Sequence, residues 1–229
     1  MKRDVGVIIV AAGSGSRTGS SELKQFRWVA GKPMLLHSIQ IFQARPDVGM
    51  VVCVLPREFV GDPPPWIFQS DAERLLLSVG GRHRSESVAN GLEDLPTECD
   101  IVVIHDAARP LVTGETISRV IDEARLGRGA VAALPVTDTL KRVDSSGKII
   151  ITVDRTGLWR AQTPQAFPRE ALERAYREAR EADHFGTDDA ALFEQIGLTV
   201  VAVRGSERAH KITEENDFAL VEALSIFRE

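Results

Sequence analysis

Residues 5–10 read V-G-V-I-I-V, an unbroken apolar run, and residues 13–19 follow at once as a glycine- and serine-rich loop. This pair constrains the fold more than any other feature. An apolar run without alternation suits a parallel strand covered on both faces. A parallel strand needs a crossover to reach its neighbour, usually a helix. The chain continues in that rhythm. Pro33 opens a helical segment with Leu35, Leu36, Ile39 and Phe42 on one face. Residues 50–55 and 75–79 read as strands, the second ended by Gly80-Gly81. Residues 84–92 read as a helix capped near Ser85, and residues 101–104 as a strand with His105-Asp106 at its carboxyl end. A helix over 116–126 and a strand over 130–134 come next. Helices are expected around 169–181, 188–196 and 214–227, with a last strand at 198–203. The pattern predicts an α/β fold, doubly wound around a mostly parallel sheet.

One segment breaks the rhythm. Residues 138–143 and 148–153 are strand-like runs joined by Asp144-Ser145-Ser146-Gly147, which is turn chemistry and predicts a hairpin. A lone two-stranded hairpin is marginal in water, and this one carries Leu140, Val143, Ile149, Ile150, Ile151 and Val153. It is expected to pack, either on its own domain or as an arm around a second subunit.

Composition narrows the function. At 229 residues, and about 150 residues per domain, one large domain is expected, with a small appendage at most. A hydrophobic share of 43% and a charged share of 27% exclude disordered, collagen-like and disulfide-scaffold chains. The net charge of −5 argues against general nucleic-acid binding, which needs a basic face. A polyanion site must therefore come from a local cluster of Arg and Lys. Cys53 and Cys99 form no C-x-x-C or metal pattern, which points to a reducing, cytoplasmic compartment. Lys2 and Arg3 before the first apolar run imitate a signal peptide. Asp4 interrupts them, and glycines and Arg17 follow the run at once. No stretch approaches the ~18 apolar residues of a membrane span.

In open α/β sheets, ligands bind beyond the carboxyl ends of the strands. Three such places carry chemistry. The first is A-A-G-S-G-S-R-T-G-S-S-E-L-K, residues 11–24. Glycines let backbone N–H groups approach an anion, and Arg17 and Lys24 add two cations, which suits a polyphosphate. A purely structural loop is the alternative. No G-K-[ST] follows, so it is not a P-loop, and Thr18 stands where a dinucleotide fingerprint needs its third glycine. The second place is H-D-A-A-R-P, residues 105–110. Asp106 could hold Mg²⁺ against nucleotide phosphates, or merely cap a turn or pair with Arg109. His105 reads as a packed strand-end histidine. The third is G-G-R-H-R-S-E-S-V-A-N-G-L, residues 80–92. Gly80-Gly81 could present backbone groups to a base edge, with Arg84 and Ser87 reaching the same ligand; helix capping is the plainer account. Thr139, Arg155, Thr163, Thr187 and Lys211 recur later and read singly as ordinary surface. No Ser-His-Asp, Cys-His or E-x-x-H pattern suggests a nucleophile or dimetal site. The chemistry reads as phosphate positioning.

Taken together, A-A-G-S-G-S-R (11–17), L-K-Q-F (23–26), G-G-x-x-R-x-x-S-V-x-x-G-L (80–92), H-D-A-A-R-P (105–110), D-T-L-K-R (138–142), V-D-R-T-G-L-W (153–159), Q-T-P-Q-A-F (162–167) and T-D-D-A (187–190) resemble the 2-C-methyl-D-erythritol 4-phosphate cytidylyltransferase family. They come in that family's order and span nearly the whole chain. The resemblance implies a Rossmann-like nucleotidyltransferase domain over residues 1–229, with a protruding hairpin arm at about residues 138–155. It implies transfer of CMP from CTP to methylerythritol phosphate, with release of pyrophosphate, in non-mevalonate isoprenoid biosynthesis. Arg17 and Lys24 would stabilise charge at the α-phosphorus. Ala11, Ala12, Gly13, Ser14, Gly15, Arg84 and Ala107 would hold the nucleotide, with Gly80, Gly81 and Ser87 at the cytosine. Asp106 would bind Mg²⁺. Arg155 and Lys211 would position the sugar phosphate, helped by Thr139, Thr163 and Thr187. The arm would make a homodimer, sending Thr139 and Arg155 into a neighbour's site.

Departures from the family pattern are Leu23 before Lys24, Thr18-Gly19 after Arg17, and Arg82 after the glycine pair. The chain ends soon after its last helix, so no fused cyclodiphosphate synthase domain is expected. The rival readings are a ribitol-5-phosphate cytidylyltransferase, whose pattern reads H-D-S-V-R-P, a non-catalytic nucleotide-binding regulator, and a dehydrogenase.

Overall fold

The computed structural model describes residues 2–13, 23–182, 186 and 188–227. Ser14, Gly15, Arg17 and Thr187, expected at the site, lie outside the described residues. The strands are β1 (Val5–Val10), β2 (Trp28–Val29), β3 (Lys32–Pro33), β4 (Val48–Leu55), β5 (Leu75–Val79), β6 (Ile101–Asp106), β7 (Gly129–Pro135), β8 (Leu140–Val143), β9 (Ile149–Val153), β10 (Trp159–Pro168) and β11 (Val200–Arg204). The helices are α1 (Met34–Gln43), α2 (Arg57–Val60), α3 (Arg84–Asp94), α4 (Gly114–Arg125), α5 (Arg169–Glu181), α6 (Asp189–Gln195) and α7 (Asn216–Ile226).

Seven strands form the central sheet in the order β11-β7-β10-β6-β1-β4-β5. β1 pairs parallel with β4 and β6, β4 with β5, and β7 with β11. Both faces are covered, which explains the unbroken apolar run in β1. Val7 and Ile9 face α1 and α4 through Leu35, Ile39, Phe42, Ile117, Val120 and Ile121. Ile8, between them, faces the opposite layer with Val88 and Leu92 of α3, Leu172 of α5 and Phe193 of α6. Successive strand residues point to opposite faces, so only a strand buried on both sides needs every position apolar. Each such side chain contributes about 1.5–3 kcal/mol when fully buried.

β10 is the largest departure from the sequence pattern, which predicts no strand between 156 and 168. It lies between β6 and β7 and runs antiparallel to both. Its residues, W-R-A-Q-T-P-Q-A-F-P, lack the β-branched enrichment of the other strands, and a proline inside a run argues against a central strand. The structure accommodates Pro164 where the β10–β7 pairing shifts register, between Ala161 and Gln165. The buried glutamines are satisfied. Gln162 Nε2 donates to Ser206 O (3.0 Å) and Gln165 Nε2 to Asp188 Oδ2 (2.9 Å).

The hairpin forms as expected. β8 and β9 pair antiparallel as a separate two-stranded sheet. Asp144 Oδ1 accepts from the N–H groups of Ser146 (2.9 Å) and Lys148 (3.0 Å), and Gly147 takes the left-handed conformation (φ 82°) that closes the turn. Ile149, Ile150 and Ile151 are 57%, 62% and 55% exposed, so the arm does not use its own domain to cover them. Among the described residues, no helix is long and apolar enough to cross a membrane.

Candidate active site

The carboxyl ends of β1, β5 and β6 open on one cleft of about 310 Å³, at the point where the chain turns from one half of the sheet to the other. Ala11, Ala12, Gly13, Lys24, Gly81, Arg84, Ser87, Asp106, Ala107 and Lys211 line it. Residues expected at the site are thereby brought together from separate segments of the chain.

Local chemistry fixes each segment. Ala11 N donates to Val54 O (2.9 Å), and Gln25 Nε2 donates to Ala11 O (2.6 Å), so the end of β1 is held from both sides. Gln25, buried in the turn Lys24–Phe26, was not legible as a site residue; its place beside Lys24 in L-K-Q-F was the available signal. Gly80 and Gly81 are required by close approach. A Cβ on Gly80 would lie 2.2 Å from Ala12 Cβ, and one on Gly81 would lie 2.3 Å from Glu86 Cβ. Their N–H groups are engaged, Gly80 with Leu55 O (2.7 Å) and Gly81 with Ser87 Oγ (3.1 Å). Ser85 is not the cap of α3: His83 precedes the helix without a side-chain cap, and Ser87 Oγ donates back to His83 O (3.1 Å).

A chain of charges runs from the core into the cleft. Tyr176 Oη donates to Asp189 Oδ1 (2.5 Å), and Arg84 Nη1 to Asp189 Oδ2 (2.7 Å). Arg84 Nε donates to Asp106 Oδ1 (3.1 Å), and Lys211 Nζ to Asp106 Oδ2 (2.7 Å). Asp106 therefore pairs with Arg84 and Lys211 rather than with Arg109. Burial pushes the Asp106 carboxyl up, but Arg84 and Lys211 hold it well below the usual carboxylate range. Burial lowers the Arg84 guanidinium, yet Asp189 and Asp106 outweigh it and the group stays protonated. No sequence pattern marks Tyr176, and T-D-D-A is the only trace of Asp189.

Asp189→Asn should leave the buried guanidinium facing a neutral amide. The expected loss is on the order of 3 kcal/mol of stability in chemical denaturation, with a raised KM for the nucleotide. Unchanged stability and KM would mean that Asp106 alone suffices to hold Arg84.

Thr163 does not line the cleft. It is buried under the end of β6, where its Oγ1 accepts from Asp106 N (3.0 Å) and meets His105 Nδ1 (3.2 Å). Burial pushes His105 down to about 4, so it is a neutral packed side chain against Phe42 (5.3 Å), in keeping with the sequence reading. Thr139 and Arg155 are exposed at the two ends of the arm and also lie outside the cleft lining.

No group of three His, Cys, Asp or Glu is placed to hold a metal among the described residues. Mg²⁺ is usually held by one or two carboxylates, with substrate phosphates and water filling the remaining positions; on Asp106 it would share oxygens that already accept from Arg84 and Lys211.

A family model described as 2-C-methyl-D-erythritol 4-phosphate cytidylyltransferase (IspD) matches residues 5–226. The enzyme of that name from Syntrophus aciditrophicus is 43% identical over 226 residues, covering 97% of this chain and 96% of that one. The one from Desulforamulus reducens is 41% identical over 219 residues, covering 94% and 93%. The crystal structure of the Thermus thermophilus enzyme aligns with a TM-score of 0.82 at 33% identity, covering 99% of this chain and 100% of that one. The motifs at the strand ends, the sheet that carries them and these matches agree: the chain belongs to the 2-C-methyl-D-erythritol 4-phosphate cytidylyltransferase family.

Proposed function

We propose that the cleft at the ends of β1, β5 and β6 is where this chain performs its family's reaction, and that it does so by positioning and charge rather than by covalent catalysis. The chain is a cytidylyltransferase: it joins the CMP unit of CTP to 2-C-methyl-D-erythritol 4-phosphate and releases pyrophosphate. One observation carries the reading of the site. Among the described residues, Lys24, Arg84 and Lys211 line the same cleft as one buried carboxylate, Asp106.

The nucleophile is a phosphate monoester oxygen. Its second pKa is about 6, so the dianion is abundant at pH 7 without a general base. The obstacle is repulsion between that dianion and a triphosphate. Lys24 and Lys211 supply positive charge as movable point charges, and Arg84 offers a fork to phosphate oxygens. Arg17 is assigned the same charge-stabilising role by resemblance. Ala11, Ala12, Gly13 and Ala107 hold the nucleotide, with Ser14 and Gly15 assigned to it by resemblance, while the carbonyls of Gly80 and Gly81, together with Ser87, meet the cytosine. When bound on Asp106, Mg²⁺ would neutralise nucleotide phosphate charge. Thr163 acts from below, keeping Asp106 in place, and Thr187 is assigned to the acceptor substrate by resemblance.

Residues 1–229 work as one nucleotidyltransferase unit. The exposed isoleucines of the arm support a homodimer in which Thr139 and Arg155 reach the neighbouring site and join Lys211 on the sugar phosphate. The two buried free cysteines support a cytoplasmic setting. The net charge of −5 supports small phosphates rather than nucleic acid as partners.

Pyrophosphate release with CTP against a panel of methylerythritol, ribitol and other polyol phosphates tests the substrate. Preference for the ribitol ester would overturn it. CTP binding without release would make the chain a regulator. Asp106→Asn should raise the Mg²⁺ concentration needed for half-maximal rate by about tenfold or more. Full activity of the wild-type protein in excess chelator would end the metal assignment.

A further inference from the structure

Ala107 and Ala108 line the cleft; a few residues further along the same segment, 110–114 line a second concavity of about 620 Å³. Its wall carries three basic side chains: Lys32 of β3, His37 of α1, and Arg208 of the turn Glu207–Ala209. Among the described residues no carboxylate lines it. None of the three basic residues lines the cleft.

Of these, Lys32 and Arg208 are cations with little opposing charge, while burial and the neighbouring Lys32 lower the proton affinity of His37. Lys32 Nζ donates to a neutral acceptor, Gln40 Oε1, and burial lowers its proton affinity. Arg208 Nε is sealed from solvent with no acceptor among the described residues. His37 Nε2 donates to Val29 O (2.7 Å), so the neutral ring presents Nδ1 as an acceptor and borders the site without holding an anion. Glu222, the carboxylate that acts on His37, already accepts from the Ala30 N–H (2.6 Å). Withdrawing cations from water without partners costs free energy, and an anion seated among them would offset that cost.

We infer that this concavity is a second anion site, taking a phosphoryl anion on Arg208 and Lys32, separate from the cleft. Arginine supplies a two-oxygen fork and lysine a point charge, a pairing suited to a multiply charged tetrahedral group. The anion is either free phosphate or diphosphate, or the head group of a phosphate ester. The site also bears on the reaction cleft. Arg208 stands shortly before Lys211 in the chain, and residues on both sides of Lys211 are tied to the post-β6 segment. Arg109 Nη1 donates to Ala209 O (2.8 Å), and Ile212 N donates to Ala108 O (2.9 Å). An anion held by Arg208 thus biases the backbone that presents Lys211 to Asp106. This coupling rests on the reading of the cleft given above; the anion site itself does not.

The test is an amide ¹⁵N–¹H titration of the full chain with the cleft saturated by CTP and no acceptor substrate present. Inorganic phosphate, pyrophosphate and n-butyl phosphate are added separately. Saturable shifts are expected at Gln40, Thr113, Gly114 and Arg208. Arg208→Ala and Lys32→Gln should each weaken binding by about tenfold or more, with the rest of the spectrum unchanged. Tighter binding of butyl phosphate than of the inorganic anions identifies an ester head group, and weaker binding identifies the free anion. Shifts confined to the cleft, shifts that do not saturate, or equal affinity in both variants and wild type would each overturn the site. Should Arg208→Ala fail to fold, Lys32→Gln decides alone.

Discussion

Lys24→Ala is expected to lower kcat by about 10²–10³, the size of effect seen when one stabiliser of transition-state charge is removed. The reason lies in how the lysine is mounted. It opens the short turn Lys24–Phe26, whose next two residues are buried. Gln25 pins that turn to Ala11 O at 2.6 Å. Phe26 packs edge-on against Phe59 and Trp66, with ring centroids 4.9 and 5.6 Å apart. The Nζ atom reaches back to Ile212 O (2.7 Å), beside Lys211. The substitution therefore removes a charge while the anchors of the turn remain, and thermal unfolding should move little. Because the charge acts on the reacting phosphates, kcat should fall more than KM rises. Arg17→Ala is expected to act on the same scale through the role its resemblance implies. A Lys24→Ala enzyme with near wild-type kcat would remove that residue from the catalytic set.

What the sequence could disclose depended on whether burial leaves a pattern. β1, β4 and β6 were legible because both their faces are covered, so nearly every position is apolar. α4 was legible because Ile117, Val120, Ile121 and Ala124 recur on its buried face. β10 was not, because its core positions include Gln162, Thr163 and Gln165, whose polarity is satisfied by residues more than twenty positions away in sequence. A polar strand looks like a loop until its partners are known. The site divides in the same way. Gly80, Arg84 and Asp106 were named from motifs at strand ends, where ligand chemistry is expected. Gln25 braces the Ala11 carbonyl, and Tyr176 and Asp189 act through Arg84; support of that kind has no spacing rule. Thr163 shows the converse: the resemblance implies a part in placing substrate, whereas its hydroxyl braces the backbone of Asp106.

Mixing two inactive variants should restore activity if the arm crosses to a neighbour. Arg155 follows β9 closely and is exposed, while Lys24 lines the cleft of its own chain. In a crossed arrangement each site takes Lys24 from one subunit and Arg155 from the other. Lys24→Ala and Arg155→Ala homodimers are then each inactive. In a mixed dimer, one site receives both lesions and the other receives neither. With random pairing of equal amounts, about half the dimers are mixed and one site in each is intact. Roughly a quarter of wild-type activity should return after joint denaturation and refolding. If Arg155 serves its own subunit, every site in every dimer keeps one lesion and mixing restores nothing. The exposed Ile149, Ile150 and Ile151 provide a separate check, because an arm held by a partner requires them to be covered there. Replacing all three with threonine keeps strand propensity while removing the apolar contact, and should shift the protein toward monomer in sedimentation. Verified subunit exchange without recovered activity would reject the crossed arm and leave the cytidylyltransferase chemistry of the cleft untouched.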